Sequence, residues 1–288
     1  MYPFEIITDS ACDLPQVMLS QLDVIITPLH VLYKGQHMAD TVENGPVHDF
    51  YAGMRSGEVP TTSAVNPDGW CKVIEPVVAQ GQDALVLAFS SGLSTTYQSA
   101  VIAANELAEK YPQRKILVVD TLSAALGQGL LVWHTCKKRD EGLSLEQLAA
   151  WVEDHKQNLC QWFTVDDLKY LKRGGRISAA KALMGTMLNI KPVLHVDEEG
   201  HLVSVTTVRG RKGSIRAMVE QMQQLALPGE NDFVTICHGD CYEEAESLAQ
   251  TLKEQLGVKE VFIGYTGAVI GAHSGPGTLA VFFLGQHR

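Results

Sequence analysis

Three apolar runs in this chain end in residues suited to holding an anion. Phe4 to Thr8 ends in Thr8-Asp9-Ser10, Ala84 to Phe89 in Ser90-Ser91, and Lys115 to Val119 in Asp120-Thr121. If the runs are parallel strands, their hydroxyls and carboxyls gather at the carboxyl edge of one sheet, where open α/β proteins bind ligands. Helix N-termini also face that edge, and their free N–H groups and partial positive charge favour an anion. Ser, Thr and Asp are equally ordinary as caps and turn formers, so each alone fits either role. Three such endings at one edge point to a site. The segment Pro60-Thr61-Thr62-Ser63-Ala64-Val65-Asn66-Pro67 adds a hydroxyl-rich stretch stiffened by two prolines.

Other candidate groups are weaker. Lys172-Arg173-Gly174-Gly175-Arg176 has the glycines and bases of a phosphate cradle but lacks the GxxxxGK[ST] frame. Cys237-His238 with Cys241 lacks a second ligand pair at usable spacing, and no HExxH occurs, so no metal and no cofactor is expected. His273, ahead of Ser274-Gly275-Pro276-Gly277, reads as a side chain on a stiff, open loop beside the last strand.

The elements that must position these residues fall into two parts. In the first, strands alternate with helices. Val24 to Tyr33 is a run broken by Pro28. A helix carries Tyr97, Val101, Ala104 and Ala108 on one face, with Thr95 and Gln98 spaced as a capping box. This alternation predicts a parallel, Rossmann-like sheet covered on both faces. The second part has strands at Gln161 to Thr164, Ile190 to Val196, His201 to Val208, Phe233 to Cys237, Glu260 to Gly264 and Thr278 to Phe283. Asp197 to Gly200 reads as a hairpin loop, and Asp240 with Glu243 as a helix cap. The expectation is a second α/β domain with a mixed or antiparallel sheet, dividing the chain into residues 1–158 and 159–288.

Composition excludes several function classes. The 288 residues are 45% hydrophobic and 19% charged, with a formal net charge of -10, which opposes unspecific binding to nucleic acid or to an anionic membrane. No run of about 18 apolar residues could span a bilayer. The N-terminus lacks the pattern of a signal peptide. Six scattered cysteines without a CxxC pair fit reduced thiols and a cytoplasmic protein.

The ordered set Thr8-Asp9-Ser10, Thr62-Ser63, Ser90-Ser91-Gly92-Leu93-Ser94-Thr95-Thr96-Tyr97, Asp120, Leu171-Lys172-Arg173-Gly174-Gly175-Arg176, Lys191-Pro192, Arg209-Gly210-Arg211 and His273-Ser274-Gly275-Pro276-Gly277 resembles the DegV family along nearly the whole chain. The resemblance implies a two-domain protein that binds one long-chain fatty acid in a tunnel between its domains. It further implies presentation of the carboxylate to a separate, dihydroxyacetone-kinase-like, ATP-dependent fatty acid kinase, which makes the acyl phosphate. Carried over by motif, Thr62 and Ser94 would hydrogen-bond the carboxylate, with His273 in the same polar network; Thr8, Asp9, Ser10 and Ser63 would support them by position alone. Arg173 and Arg176 would face the partner. Tunnel lining would come from residues such as Leu183, Met184, Met187, Leu188 and Ile190, at a spacing that plain core shares. Where the family usually has Ser-Gly-Thr this chain has Ser94-Thr95-Thr96, and Ala64-Val65 stands where Gln-Pro is common.

The carrier reading predicts no catalysis by the chain alone. Its rival is a serine-type lipid ester hydrolase, with Ser94 or Ser91 as nucleophile and His273 as base, although a GxSxG elbow is missing. A third reading, a dihydroxyacetone-type kinase subunit, needs a histidine placed to bond its substrate covalently.

Overall fold

The apolar runs resolve into three sheets. The structure is a computed structural model that describes residues 2–177 and 189–288. The expected lining residues Leu183, Met184, Met187 and Leu188 lie outside the described residues.

The first sheet is parallel, with order β2-β1-β6-β7, from β1 (Phe4–Asp9), β2 (Val24–Thr27), β6 (Asp83–Ala88) and β7 (Ile116–Asp120). Every residue of β6 after Asp83 is buried, as a strand covered on both faces requires. Pro28 ends β2, and the chain then leaves this sheet. β3 (His30–Tyr33) pairs with β4 (Gln36–Ala39) and β5 (Thr61–Ser63) in a small antiparallel sheet that the sequence reading did not anticipate. Thr62 and Ser63 therefore sit on a strand rather than in a loop. Helices α1 (Gln16–Gln21), α2 (Asn44–Arg55), α3 (Pro67–Ala79) and α4 (Thr96–Lys110) complete this part.

The next helix, α5 (Ala125–Asp140), has no counterpart among the sequence-based expectations. Its first eight residues are all buried, so no one-sided stripe marks it. Gly127 lies against the side chains of Gln161 and Phe282, and Gly129 against the Cys12 carbonyl, where a Cβ would collide. Close packing of backbones outweighs the poor helix propensity of glycine there. α6 (Leu145–His155) follows, started by a complete Ser144–Gln147 capping box.

From Leu159 onward the strands build a six-stranded mixed sheet of order β10-β9-β8-β13-β11-β12. Its members are β8 (Leu159–Thr164), β9 (Ile190–Val196), β10 (Leu202–Arg209), β11 (Phe233–His238), β12 (Glu260–Tyr265) and β13 (Leu279–Leu284). β9 and β10 form the expected hairpin around Asp197 to Gly200. The helices here are α7 (Lys169–Arg173), α8 (Arg211–Leu225), α9 (Tyr242–Leu256) and α10 (Ala268–Ser274). The fold class is thus α/β, with an N-terminal parallel sheet and a second domain built on a mixed sheet. α10 does not stay with its own sheet: Ala268, Val269 and Ala272 join a core with Leu29, Val31, Phe50 and Tyr51.

Two expected caps are not made. Thr95 stands at the N-cap of α4 without a side-chain bond; Ser94 Oγ accepts the Thr96 N–H instead, at 3.2 Å. Asp240 caps nothing, because its carboxylate is drawn to Arg55 and His48 across the chain, and Cys241 occupies the cap of α9.

Candidate functional site

The ends of β1, β6 and β7 do meet at one edge, held by a dense hydrogen-bond network. Thr8 Oγ1 donates to Leu87 O at 2.7 Å. The Asp9 carboxylate accepts from Phe89 N at 2.8 Å, Ala11 N at 3.1 Å and Gln128 Nε2 at 3.3 Å. Burial pushes Asp9 up to about 7, against the pull of those bonds. Ser10 Oγ accepts from Leu29 N and donates to Asp40, whose other oxygen accepts from Val269 N in α10. Asp120 Oδ1 takes the N–H groups of Ser91 and Leu122, both at 3.1 Å. Thr8, Asp9 and Ser10 thereby brace the wall of a cavity without lining it.

That cavity has a volume of about 460 Å³ and lies between the two main sheets. Its size falls in the range of small-molecule sites. Thr62, Ser63, Ser94, Arg176 and His273 line one region, while Phe89, Leu93, Phe163, Val269 and Phe282 supply apolar wall. Of the expected residues, the structure brings together Thr62, Ser63, Ser94 and His273. Arg176, expected to face a partner, belongs to the wall as well; its Nε donates to Leu93 O at 3.2 Å. Arg173 is exposed, its guanidinium 5.2 Å from the Tyr170 ring centre.

His273 sits on α10, not in a loop. Its Nε2 lies 2.8 Å from Thr62 Oγ1. Nδ1 faces Gly174 and has no hydrogen-bond partner among the described residues. A bare acceptor nitrogen costs less than a bare buried N–H, so the proton belongs on Nε2. The ring then donates to Thr62, and the Thr62 hydroxyl proton is free to point into the cavity. Burial, helped by the nearby charges of Arg176 and Arg173, lowers His273 to about 4, so the ring is neutral at pH 7. Ser94 Oγ pairs with Thr96 Oγ1 at 2.8 Å; with Thr96 donating, the Ser94 proton is likewise free. Two hydroxyl donors and the positive field of Arg176 suit a carboxylate.

The chain belongs to the DegV family. Residues 3–286 match the family described as "Uncharacterised protein, DegV family". A DegV domain-containing protein of Clostridium perfringens is 43% identical over 100% of this chain and 99% of its own length. Among solved structures, a DegV family protein from Thermus thermophilus, described for its fatty acid binding, is 34% identical with a TM-score of 0.88, covering 98% of this chain and 99% of its own. A stearic acid-binding protein from Eubacterium ventriosum is 26% identical with a TM-score of 0.86, covering 97% and 98%. The shared DegV fold places the cavity's two main sheets in the same architecture as those proteins.

Several lining residues were not expected from the sequence to face a cavity: Phe89, Ala124, Gln161, Cys237, Thr266 and Phe282. Most are apolar members of strands or strand ends, and burial against a cavity has the same periodicity as burial against a core. Cys237, His238 and Cys241 go separate ways: Cys237 lines the cavity, His238 Nδ1 accepts from Cys241 N, and Cys241 Sγ lies 3.3 Å from Thr278 O. Among the described residues, no helix is long and apolar enough to cross a membrane.

Proposed function

We propose that this chain binds a long-chain fatty acid in the cavity between its sheets, with the carboxylate against Thr62, Ser94 and His273. The observation that carries this reading is the cavity itself: an apolar enclosure with two hydroxyls at one region, each relieved of its local donor role by a neighbour. The relatives from Thermus thermophilus and Eubacterium ventriosum, described as binding fatty acid and stearic acid, support it. Apolar transfer supplies about 0.8 kcal/mol per buried CH₂, so the acyl chain provides the affinity and the hydroxyls provide orientation. Residues 1–158 supply most of the head-group donors; residues 159–288 cover the acyl chain and contribute His273 through α10.

In this reading the chain is a cytoplasmic carrier, not a catalyst, and exposes the carboxyl end to a separate ATP-dependent fatty acid kinase. Exposed Arg173 would face that partner, and Arg176 would act on the bound carboxylate. The hydrolase alternative finds less support. Ser94 is bonded to Thr96 rather than to His273, the imidazole is a weak base, and no carboxylate orients Nδ1 among the described residues. The test is solvent extraction of the purified protein and mass spectrometry of the extract, beside a Thr62→Ala, Ser94→Ala variant. About one fatty acid per chain in the wild type and much less in the folded variant is expected. Equal lipid in both would move the head-group site, and no lipid with no uptake of added acid would overturn the carrier function.

A further inference from the structure

Ser90 follows β6 by two residues, is fully buried, and commits every polar atom it has. Its N–H donates to Ser123 O at 3.1 Å, and its carbonyl accepts the N–H groups of Leu93 and Ser94, each at 3.1 Å. Its hydroxyl accepts the Gly92 N–H at 3.2 Å and donates to Gly200 O at 2.9 Å. The bonds to Gly92, Leu93 and Ser94 close the turn that carries Ser94. The bond to Gly200 leaves the first domain altogether, because Gly200 belongs to the hairpin between β9 and β10.

At that point the two backbones meet with no side chain between them. A Cβ on Gly92 would lie 2.8 Å from the carbonyl oxygens of Glu199 and Gly200, and one on Gly200 would run into Ser90 Oγ. Gly200 also takes a φ of 78°, which favours glycine. This close approach lets one serine hydroxyl span the gap.

The hairpin is a firm anchor. Gln157 Nε2 donates to Glu198 O at 2.9 Å, and Arg288 to Asp197 O at 3.0 Å. Behind the tip Val196 pairs with Leu202, and both line the cavity. The turn from Ser90 to Ser94 has no ladder of its own, since it lies between the end of β6 and the start of α4. Asp120 and Arg176 also grip it, at Ser91 N and Leu93 O, so loss of the Ser90 hydroxyl shifts the turn without unfolding it. A donor fixed in advance at the right place binds its acceptor without the cost of being ordered.

We propose that Ser90 is a positioning residue of the head-group site, which holds the turn through Gly200 so that Ser94 meets the carboxylate. This rests on the fatty-acid reading above and deepens it. Ser90 acts through Ser94: its neighbours Phe89 and Ser91 line the cavity, and Ser90 lies behind them.

The experiment is calorimetric titration of the whole purified chain, freed of co-purified lipid, with stearic acid and with stearyl alcohol, which has the same chain and no carboxylate. Ser90→Ala should weaken the acid about fivefold relative to the alcohol. In a Ser94→Ala background the same change should add nothing, because the donor it positions is gone. Gly92→Ala, at a φ open to any residue, keeps the Ser90 hydroxyl but drives a Cβ into the hairpin, and should weaken the acid in the same selective way. Cooperative unfolding in denaturant reports that each variant is folded. An unchanged acid-to-alcohol ratio in Ser90→Ala and Gly92→Ala, or full additivity of Ser90→Ala with Ser94→Ala, would overturn the inference while leaving the carrier reading intact. Failure of both ligands to bind wild type would overturn both.

Discussion

Thr62 on β5 and His273 on α10 are 211 positions apart and meet at 2.8 Å through Oγ1 and Nε2. The contact joins the small antiparallel sheet to the helix that lines the cavity. Because the imidazole is neutral and Nδ1 has no partner among the described residues, the pair favours the Nε2–H tautomer and leaves the Thr62 proton directed away from the ring. Thr62→Val should therefore remove the proposed carboxylate donor and strand Nε2–H together. Fatty acid affinity should fall by about tenfold or more, with a loss of roughly 1–3 kcal/mol in unfolding free energy. Calorimetric binding and denaturant unfolding of the same preparation measure both effects.

Gly174 makes a separate test of the same geometry. Its φ of -70° is ordinary for any residue, so a substitution costs nothing in backbone conformation. A Cβ there would nevertheless run into Nδ1 of His273. Gly174→Ala should displace the ring from Thr62 and weaken fatty acid binding about as much as His273→Ala does, in a protein that still unfolds cooperatively. Equal affinity in Gly174→Ala and wild type would show that the ring position does not matter to the ligand.

Much of this arrangement is readable in the sequence, for identifiable reasons. β1, β6 and β7 are short apolar runs with polar endings, and both their existence and their shared edge follow from composition and spacing. Thr62, Ser94 and His273 come from the motif resemblance, and the structure places all three on one cavity. What the sequence conceals is whatever tertiary packing decides. α5 is buried on all sides and carries two glycines, so neither periodicity nor propensity announces it. His273 reads as a loop residue because Gly271 and Gly275 flank it, yet α10 takes in Gly271, packed against the Tyr51 ring, and ends only at Gly275. Asp240 looks like a cap until Arg55, 185 positions away, claims its carboxylate.

Arg288 ties the far end of the chain to the edge that carries the site. Its guanidinium donates to Leu122 O at 2.6 Å, Lys156 O at 2.8 Å, Asp197 O at 3.0 Å and Ser123 Oγ at 3.1 Å. Those acceptors include the turn in which Leu122 and Ala125 take left-handed φ angles of 51° and 53°. Strained residues of this kind persist only where the surroundings hold them. Arg288→Ala should cost roughly 2–4 kcal/mol, because it leaves several buried acceptors unpaired. Hydrogen exchange should show the loss first in residues 121–125. Uniform destabilisation with unchanged local protection there would count against the clasp.

Asp9 and His273 should tilt the dependence of stability on pH in opposite directions. His273, at about 4 in the folded protein, takes up a proton in the unfolded chain first, near 6.5. Its contribution is complete above about pH 6.5 and is lost as pH falls toward 4. Asp9 behaves the other way. Its folded value of about 7 lies above an unfolded value of about 4, so between those limits the native state binds the extra proton. Stability from Asp9 is present at the acid end of that window and is lost as pH rises toward 7. Unfolding free energies measured from pH 4.5 to 7.5 by denaturant titration separate the two. Relative to wild type, His273→Gln should lessen the rise of stability with pH, and Asp9→Asn should lessen its fall. Parallel profiles for the three proteins would mean that neither group changes its protonation on folding.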